Sequence, residues 1–443
     1  MSPSTKTSAH SIPANSATHV IDILLAGGIC LLLAFGPLAF GAVQQWAICV
    51  LEIGSMVLLM VWATREFTRP RPRIFFYPPF IPGALFGLLI VLQLLLKTTV
   101  YWYATWFQAM LWTAYGVIFF LVTQCFNRTA FTKGFGIFFS IYGFAVALFA
   151  IAQEFTSNGK IYWMVPNRNL GWIYGPYVNH SHYAGLMEML IPIPLVIAMA
   201  NFFSKPIRLL FAFSALLMGG SIFLSQSLGG IIAFTMEIGL LTIFLAKRGS
   251  RGRLLLLGAL CVAIVAGVIL LRPHGLAERL MNLKHPITRG GAELRVAVVK
   301  DSVQMVKQRP VLGWGLGTFP IIYPSFRSFY SNFFVNEAHN DFAQLLIETG
   351  GAGFILMTFF WALVYKAGLG GIGEWRNEFS STMALAAIIG CTGLLIHGFA
   401  DFNLRIPANA ILFVAFAALA TASASALQNR AGHLNESSTK GTN

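Results

Sequence analysis

"HNDFAQLLIETGGAGFILMTFFWALVY" (residues 339–365) opens on three polar side chains, His339, Asn340 and Asp341. It then stays largely apolar to its end, with one carboxylate, Glu348, inside it. An apolar run of about twenty residues can cross a bilayer as a helix, the form that satisfies its own backbone where lipid offers no partners. The stretch is therefore read as a span that begins at a water boundary. Similar runs recur near 20–42, 44–63, 77–97, 106–125, 133–154, 182–202, 207–225, 227–246, 254–271, 380–398 and 406–426, which makes twelve in all.

Composition agrees. The 443 residues are 56% hydrophobic and 10% charged, with mean hydropathy +0.70, which no soluble domain of this length shows. The expected fold is all-α: a polytopic membrane protein of about 12 transmembrane helices (20–426) with one large helical loop, 272–338, on one face. The polar ends, 1–19 and 427–443, are rich in Ser, Thr, Asn and Gly and are expected to be disordered tails. The first 19 residues lack a basic leader running into a short apolar segment and a small-residue cleavage site, so the first span is expected to be retained.

Loop charge sets an expected orientation. With the N-terminus in the cytoplasm, the inside loops carry Arg65, Arg69, Arg71, Arg73, Arg128, Lys133, Lys205, Arg208, Lys247, Arg248, Arg251, Arg253, Lys366 and Arg376. Twelve spans then return the C-terminus to the cytoplasm. The formal charge of +14 is mostly this bias, and nucleic acid is not an expected partner. The loop 272–338 runs against the trend, with nine basic and four acidic side chains on the outer face. It is either a solvated surface or, on the sharper reading, a site for an anionic ligand such as phosphate. Cys30, Cys49, Cys125, Cys261 and Cys391 fall in or at the ends of spans, which points to small packing residues and to neither a disulfide framework nor a metal site.

Within that loop, "AELRVAVVKDSVQMVKQRP" (292–310) is predicted to be an amphipathic helix with Val296, Val299, Val303 and Val306 as its apolar stripe, ended by Pro310. Arg295 lies near its start. "GWGLGTF" (313–319) is a pliable turn where backbone can approach a partner closely, and it lacks the spacing of a dinucleotide site. "YPSFRSFY" (323–330) sets Arg327 among aromatics, suited to an interface or a sugar. Is Glu348 the partner of His339? Nine residues along one helix put it on the opposite face and roughly 13 Å deeper, so Glu348 is read as a buried structural carboxylate. His339 itself can exchange a proton near neutral pH.

Two further outer segments are polar. "VPNRNLGWIYGPYVNHSHYAG" (165–185) brings Arg168, His180 and His182 to the start of span six, two histidines not spaced as a helical metal pair. "HGFADFNLRIPANA" (397–410) carries Asp401 and Arg405, four apart and able to pair if helical. With Asn340 and Asp341, these corners suggest one polar chamber at the outer face. A transporter, the reading from another class, places its site near the midplane and would depend on Glu188 and Glu348. A scaffold would tolerate loss of either set.

Five pieces, "YVNHSHYAGLMEMLIPI", "SQSLGG" (225–230), "LRVAVVKDSVQMVKQRPVLGWGLGTF", "EAHNDFAQLLIETG" and "HGFADFNLRIPANAILF", follow one another over roughly 175–415. Their order resembles the O-antigen ligase and O-antigen polymerase superfamily of bacterial inner-membrane glycosyltransferases, most of all an O-antigen ligase of lipopolysaccharide biosynthesis. The resemblance implies a GT-C-like fold and a periplasmic active site. It implies an inverting transfer that needs no metal or other cofactor, from a glycan on undecaprenyl pyrophosphate to a hydroxyl of a second glycan, often lipid A–core, with membrane lipids around it. The family's donor-facing loop arginine matches Arg295, with Arg289 and Lys300 as neighbouring candidates for the pyrophosphate, and its proposed general base matches His339. Polymerisation and transfer to protein serine or threonine are sister reactions. One place departs: many members read Ser-Arg-Gly in the hairpin where this chain has Ser227-Leu228-Gly229. Arg289, Lys284, Arg327 and Arg168 are the candidates to supply the missing cation.

Overall fold

A computed structural model describes residues 16–70, 72–166, 172–271, 286–330 and 334–439. Arg168, Lys284 and parts of the expected tails and loop lie outside the described residues, and so does the side chain of Arg289. The chain is an all-helical membrane protein. Its helices are α1 (Ser16–Leu38), α2 (Gln45–Phe67), α3 (Phe80–Leu95), α4 (Trp102–Cys125), α5 (Thr129–Thr156), α6 (His180–Leu190), α7 (Pro192–Met199), α8 (Lys205–Ser225) and α9 (Leu228–Lys247). Then come α10 (Arg251–Leu271), α11 (Pro286–Gln308), α12 (Phe319–Ile322), α13 (Asp341–Gly370), α14 (Phe379–His397) and α15 (Pro407–Thr439). A two-stranded hairpin, Lys160–Ile161 with Val165–Pro166, is the one sheet among the described residues.

Every expected span falls on helix. Among the described residues nine helices are long and apolar enough to cross a membrane, α6 and α7 counting as one; α3 and the first part of α15 are shorter apolar helices. Span six is interrupted at Ile191, where Pro192 and Pro194 remove backbone donors and start a new helix. The window across α6 and α7 is 100% buried and that of α14 is 83% buried, against 22% for α2 and α13, so α6, α7 and α14 form the centre and α2 and α13 the lipid-facing rim. Gly390 lets α14 lie against the backbone of Met189, where a Cβ would meet the Met189 carbonyl at 2.8 Å. At the end of the bundle away from the loop, Asp22 of α1 pairs with Arg65 of α2 and Arg128 before α5.

The loop helix α11 forms as expected, but its packed face differs from the valine stripe. Val298 and Met305 are fully buried, with Asp301 and Ser302 between them, whereas Val296 and Val303 are about half exposed. Asp301 is tolerated inside because its carboxylate accepts from the Tyr323 hydroxyl at 2.9 Å and from the Ser328 amide at 3.1 Å.

The turn at 310–316 docks onto α13 by main chain alone. Trp314 and Gly315 donate to the carbonyls of Ile347 and Glu348, and Gly351 and Ala352 donate back to those of Pro310 and Val311. This is possible because α13 breaks at Gly350 (φ 64, ψ −172), a conformation essentially reserved for glycine. A Cβ there would run into the Val311 carbonyl. Gln93 of α3 seals the junction, donating to Leu312 O at 2.7 Å and Glu348 O at 3.1 Å.

Candidate active site

The site starts from how α13 begins. Asn340 caps it, its side-chain oxygen accepting from the Ala343 amide at 2.9 Å, and Asp341 occupies the first turn, where a carboxylate suits the helix dipole. His339 therefore precedes the helix, with φ 52 in the left-handed region. The expectation of one continuous helix from His339 to Glu348 does not hold, although the two side chains stay apart as expected.

Residues 339–341 are pinned to the segment after α14. The Asp341 amide donates to Gly398 O at 2.8 Å, Asn340 Nδ2 to Phe399 O at 3.0 Å, and the Leu404 amide to Asp341 Oδ2 at 3.1 Å. That brings Asp401, 2% exposed, beneath the histidine. His339 Nδ1 is 3.8 Å from Asp401 Oδ1, beyond hydrogen-bond length. Nδ1 is buried while the side chain is 27% exposed, so the open edge of the ring is the one bearing Nε2. Arg295 reaches the same loop from α11: its Nη1 donates to Ala400 O at 3.1 Å and its Nη2 lies 4.0 Å from Asp401 Oδ2. Burial disfavours an ionised Asp401, but His339, His182 and Arg295 around it outweigh burial and hold the carboxyl well below the usual carboxylate range. Arg295, His339, Asn340, Asp341 and Asp401 thus form one cluster.

Asp401 and Arg405 do not pair. The segment is a bend followed by a 3₁₀ turn, Asn403–Arg405, so helical i,i+4 geometry never forms. Arg405 instead turns inward to Glu337 at 3.3 Å and Glu348 at 3.1 Å. Gln344 completes this network, donating to both Glu348 and Glu337 and accepting from the Ala338 amide. Burial pushes the Glu337 carboxyl above its ordinary value, against the pull of Arg405. Glu348, expected to be structural, has Arg405 as its partner.

Residues 213–358, which include Arg295 and His339, match the family model described as O-antigen ligase. Over that stretch, about a third of the chain, the sequence is similar to O-antigen ligases. No match was found among curated proteins.

The matched stretch also contains the hairpin at 225–230, where the resemblance led to an arginine being expected. Gln226 turns the chain (φ 57), Ser227 caps α9 by accepting from the Gly230 amide, and Leu228 is half-buried at the first helical position. Gly229 lies against His397, where a Cβ would come 2.5 Å from Nε2. His397 is held on its other nitrogen by Glu188 at 2.8 Å, both buried. Glu188 and Glu348, the carboxylates a transporter reading would need, are each engaged with a basic partner.

The remaining candidates are spread around the cluster. The rings of His182 and His339 both stand edge-on to Phe402, at 4.8 and 5.0 Å, and both nitrogens of His182 are buried without a partner among the described residues. His180 sits at the next corner, its Nδ1 2.9 Å from Ser225 O. Lys300 is exposed and, five residues past Arg295, stands about 140° round α11 from it. Arg327 is half-buried in the loop. Among the described residues no group of three or more His, Cys, Asp or Glu is placed to hold a metal. Sequence reading did not single out Phe402, Glu337 or Gln344; each acts through a contact with no fixed spacing in the chain.

Proposed function

We propose that this protein is an inverting, metal-independent glycosyltransferase that moves a glycan from undecaprenyl pyrophosphate to an acceptor hydroxyl, lipid A–core in the ligase reading. The observation that carries the proposal is the convergence of Arg295 and His339 on Asp401 at one end of the bundle. His339 acts as general base. Asp401 faces Nδ1 and favours the tautomer that leaves Nε2 to take the acceptor proton. The acceptor oxygen attacks C1 of the donor sugar, the C1–O bond to pyrophosphate breaks, and its electron pair leaves with the pyrophosphate. That leaving group needs charge stabilisation more than a proton, and a guanidinium supplies a fixed, planar, permanently charged partner for it. On this reading the site lies on the periplasmic face of the inner membrane with both termini cytoplasmic, which the arginines gathered with Asp22 at the other end support.

The test is transfer by purified protein in nanodiscs, with undecaprenyl-pyrophosphate glycan offered with and without lipid A–core. Product that forms on lipid A–core, survives EDTA and disappears in His339→Ala, with donor binding retained, is the expected result. Undiminished turnover in His339→Ala removes the general-base role, and EDTA inhibition reversed by magnesium removes the metal-free reading. Elongation of the donor glycan without lipid A–core assigns the sister polymerase reaction.

A further inference from the structure

Beside the site, on the membrane side of Asp341, a cavity of about 570 Å³ opens between α3, α4, α13 and α15. Its walls are apolar, with Phe86, Trp112, Phe119, Met357 and Trp361 among them. On α13 the lining runs from Asp341, past the break at Gly350, to Trp361, at most about 30 Å at the helical rise and so of the order of a hydrocarbon core. A long apolar slot of this size suits one extended chain rather than the several chains of a large lipid.

The polar end is different in kind. It is formed by Asp341, Gln344, Glu348 and Arg405, with Glu337 directly behind Arg405. One guanidinium stands among three carboxylates, and two of those carboxylates already occupy it. Asp341 is 7% exposed, and its Oδ1 is buried with no partner among the described residues. An ionised Asp341 is an acceptor seeking a donor, and a protonated one offers a hydroxyl; neither state attracts a phosphate. A sugar or other uncharged hydroxyl group answers both. Asp341 is two residues from His339, so a head held there is next to the proposed base.

We propose that this groove seats the chain of a lipid-borne acceptor whose head is uncharged and hydroxyl-bearing, and that its carboxylate-lined mouth turns phosphate-headed lipids away. The inference rests on the glycosyl-transfer reading and narrows its acceptor. The donor pyrophosphate belongs on the Arg295 side of His339, and a phosphorylated, many-chained lipid reaches His339 from the open side rather than through the groove.

The test uses two single-chain probes of equal length, each with a diazirine in the chain: an alkyl glycoside and an alkyl phosphate. They are added to full-length protein in phosphatidylcholine nanodiscs, and the labelled peptides are read by mass spectrometry. The glycoside is expected to label groove residues of α3, α4 or α13 at least roughly tenfold more than the phosphate. Gly87→Phe fills the groove from α3 and should abolish that labelling, and Gly116→Leu does the same from α4; a Cβ at either position meets nothing within 4 Å. Asp341→Asn should raise labelling by the phosphate. Equal labelling by the two probes, or glycoside labelling that survives both groove-filling variants, overturns the proposal. So does labelling without transfer to the glycoside by a protein that transfers to another acceptor. Absence of transfer to any acceptor is a failure of the glycosyl-transfer reading, and the labelling pattern then still decides what the groove holds.

Discussion

Replacing Asp401 by asparagine keeps the size of the side chain and removes one buried charge. In the transition state of the proposed mechanism His339 gains a proton, and the resulting imidazolium has Asp401 Oδ1 3.8 Å from Nδ1. Two unit charges about 4 Å apart attract by about 4 kcal/mol at an effective dielectric of about 20. The His339 side chain is 27% exposed, and solvent screening reduces that figure toward about 2 kcal/mol. The expected loss is therefore about 2–4 kcal/mol of transition-state stabilisation, roughly thirtyfold to a thousandfold in kcat. Because the charge on His339 is absent from the ground state, the donor KM should change far less than kcat. The assay is initial-rate transfer in nanodiscs, wild type beside Asp401→Asn at matched folded protein, with size-exclusion profiles as the control for assembly. A kcat within threefold of wild type would refute the argument, and so would a loss confined to KM.

Arg295→Lys keeps the charge but not the planar fork that engages Ala400 and faces Asp401, so kcat/KM should fall roughly tenfold or more, and equal activity would remove the guanidinium geometry from the mechanism. Arg405→Met leaves Glu337 and Glu348 without their cation and should destabilise the bundle by about 3–5 kcal/mol, seen as a lower melting temperature in detergent and partly restored by adding Glu348→Gln. Gly350→Ala should be worse than an ordinary helix substitution, costing more than about 3 kcal/mol, since it combines backbone strain with a clash on Val311 O; a folded, thermally unchanged variant would contradict the docking of the loop on α13.

The helices were legible because lipid imposes one rule on every residue of a span, and a window of apolar side chains reports that rule locally. Arg295 and His339 entered as candidates through resemblance, and His339 also through its place at a polar border; the structure brings both beside Asp401. What escaped were pairings made across the chain. Asp401 and Arg405 are four apart, which suggests an ion pair only if the intervening backbone is helical; here it bends, and the two side chains part toward His339 and toward Glu348. The valines of α11 misled for a related reason. Hydrophobic periodicity assumes that the packed face is the apolar one, yet Asp301 packs because Tyr323 and the Ser328 amide answer its charge, leaving Val296 and Val303 toward the outside.

The main-chain docking of residues 310–316 has a consequence for biogenesis. One side of their berth, Gln93 with Thr99 and Thr105, is synthesised some two hundred residues earlier, and the other, the break at Gly350, emerges after them. The contacts of residues 310–316 therefore close only after α13 has been made, and those of His339 only after the Asp401 segment that follows α14. The candidate site is thus joined only late in synthesis, once the chain has passed Asp401.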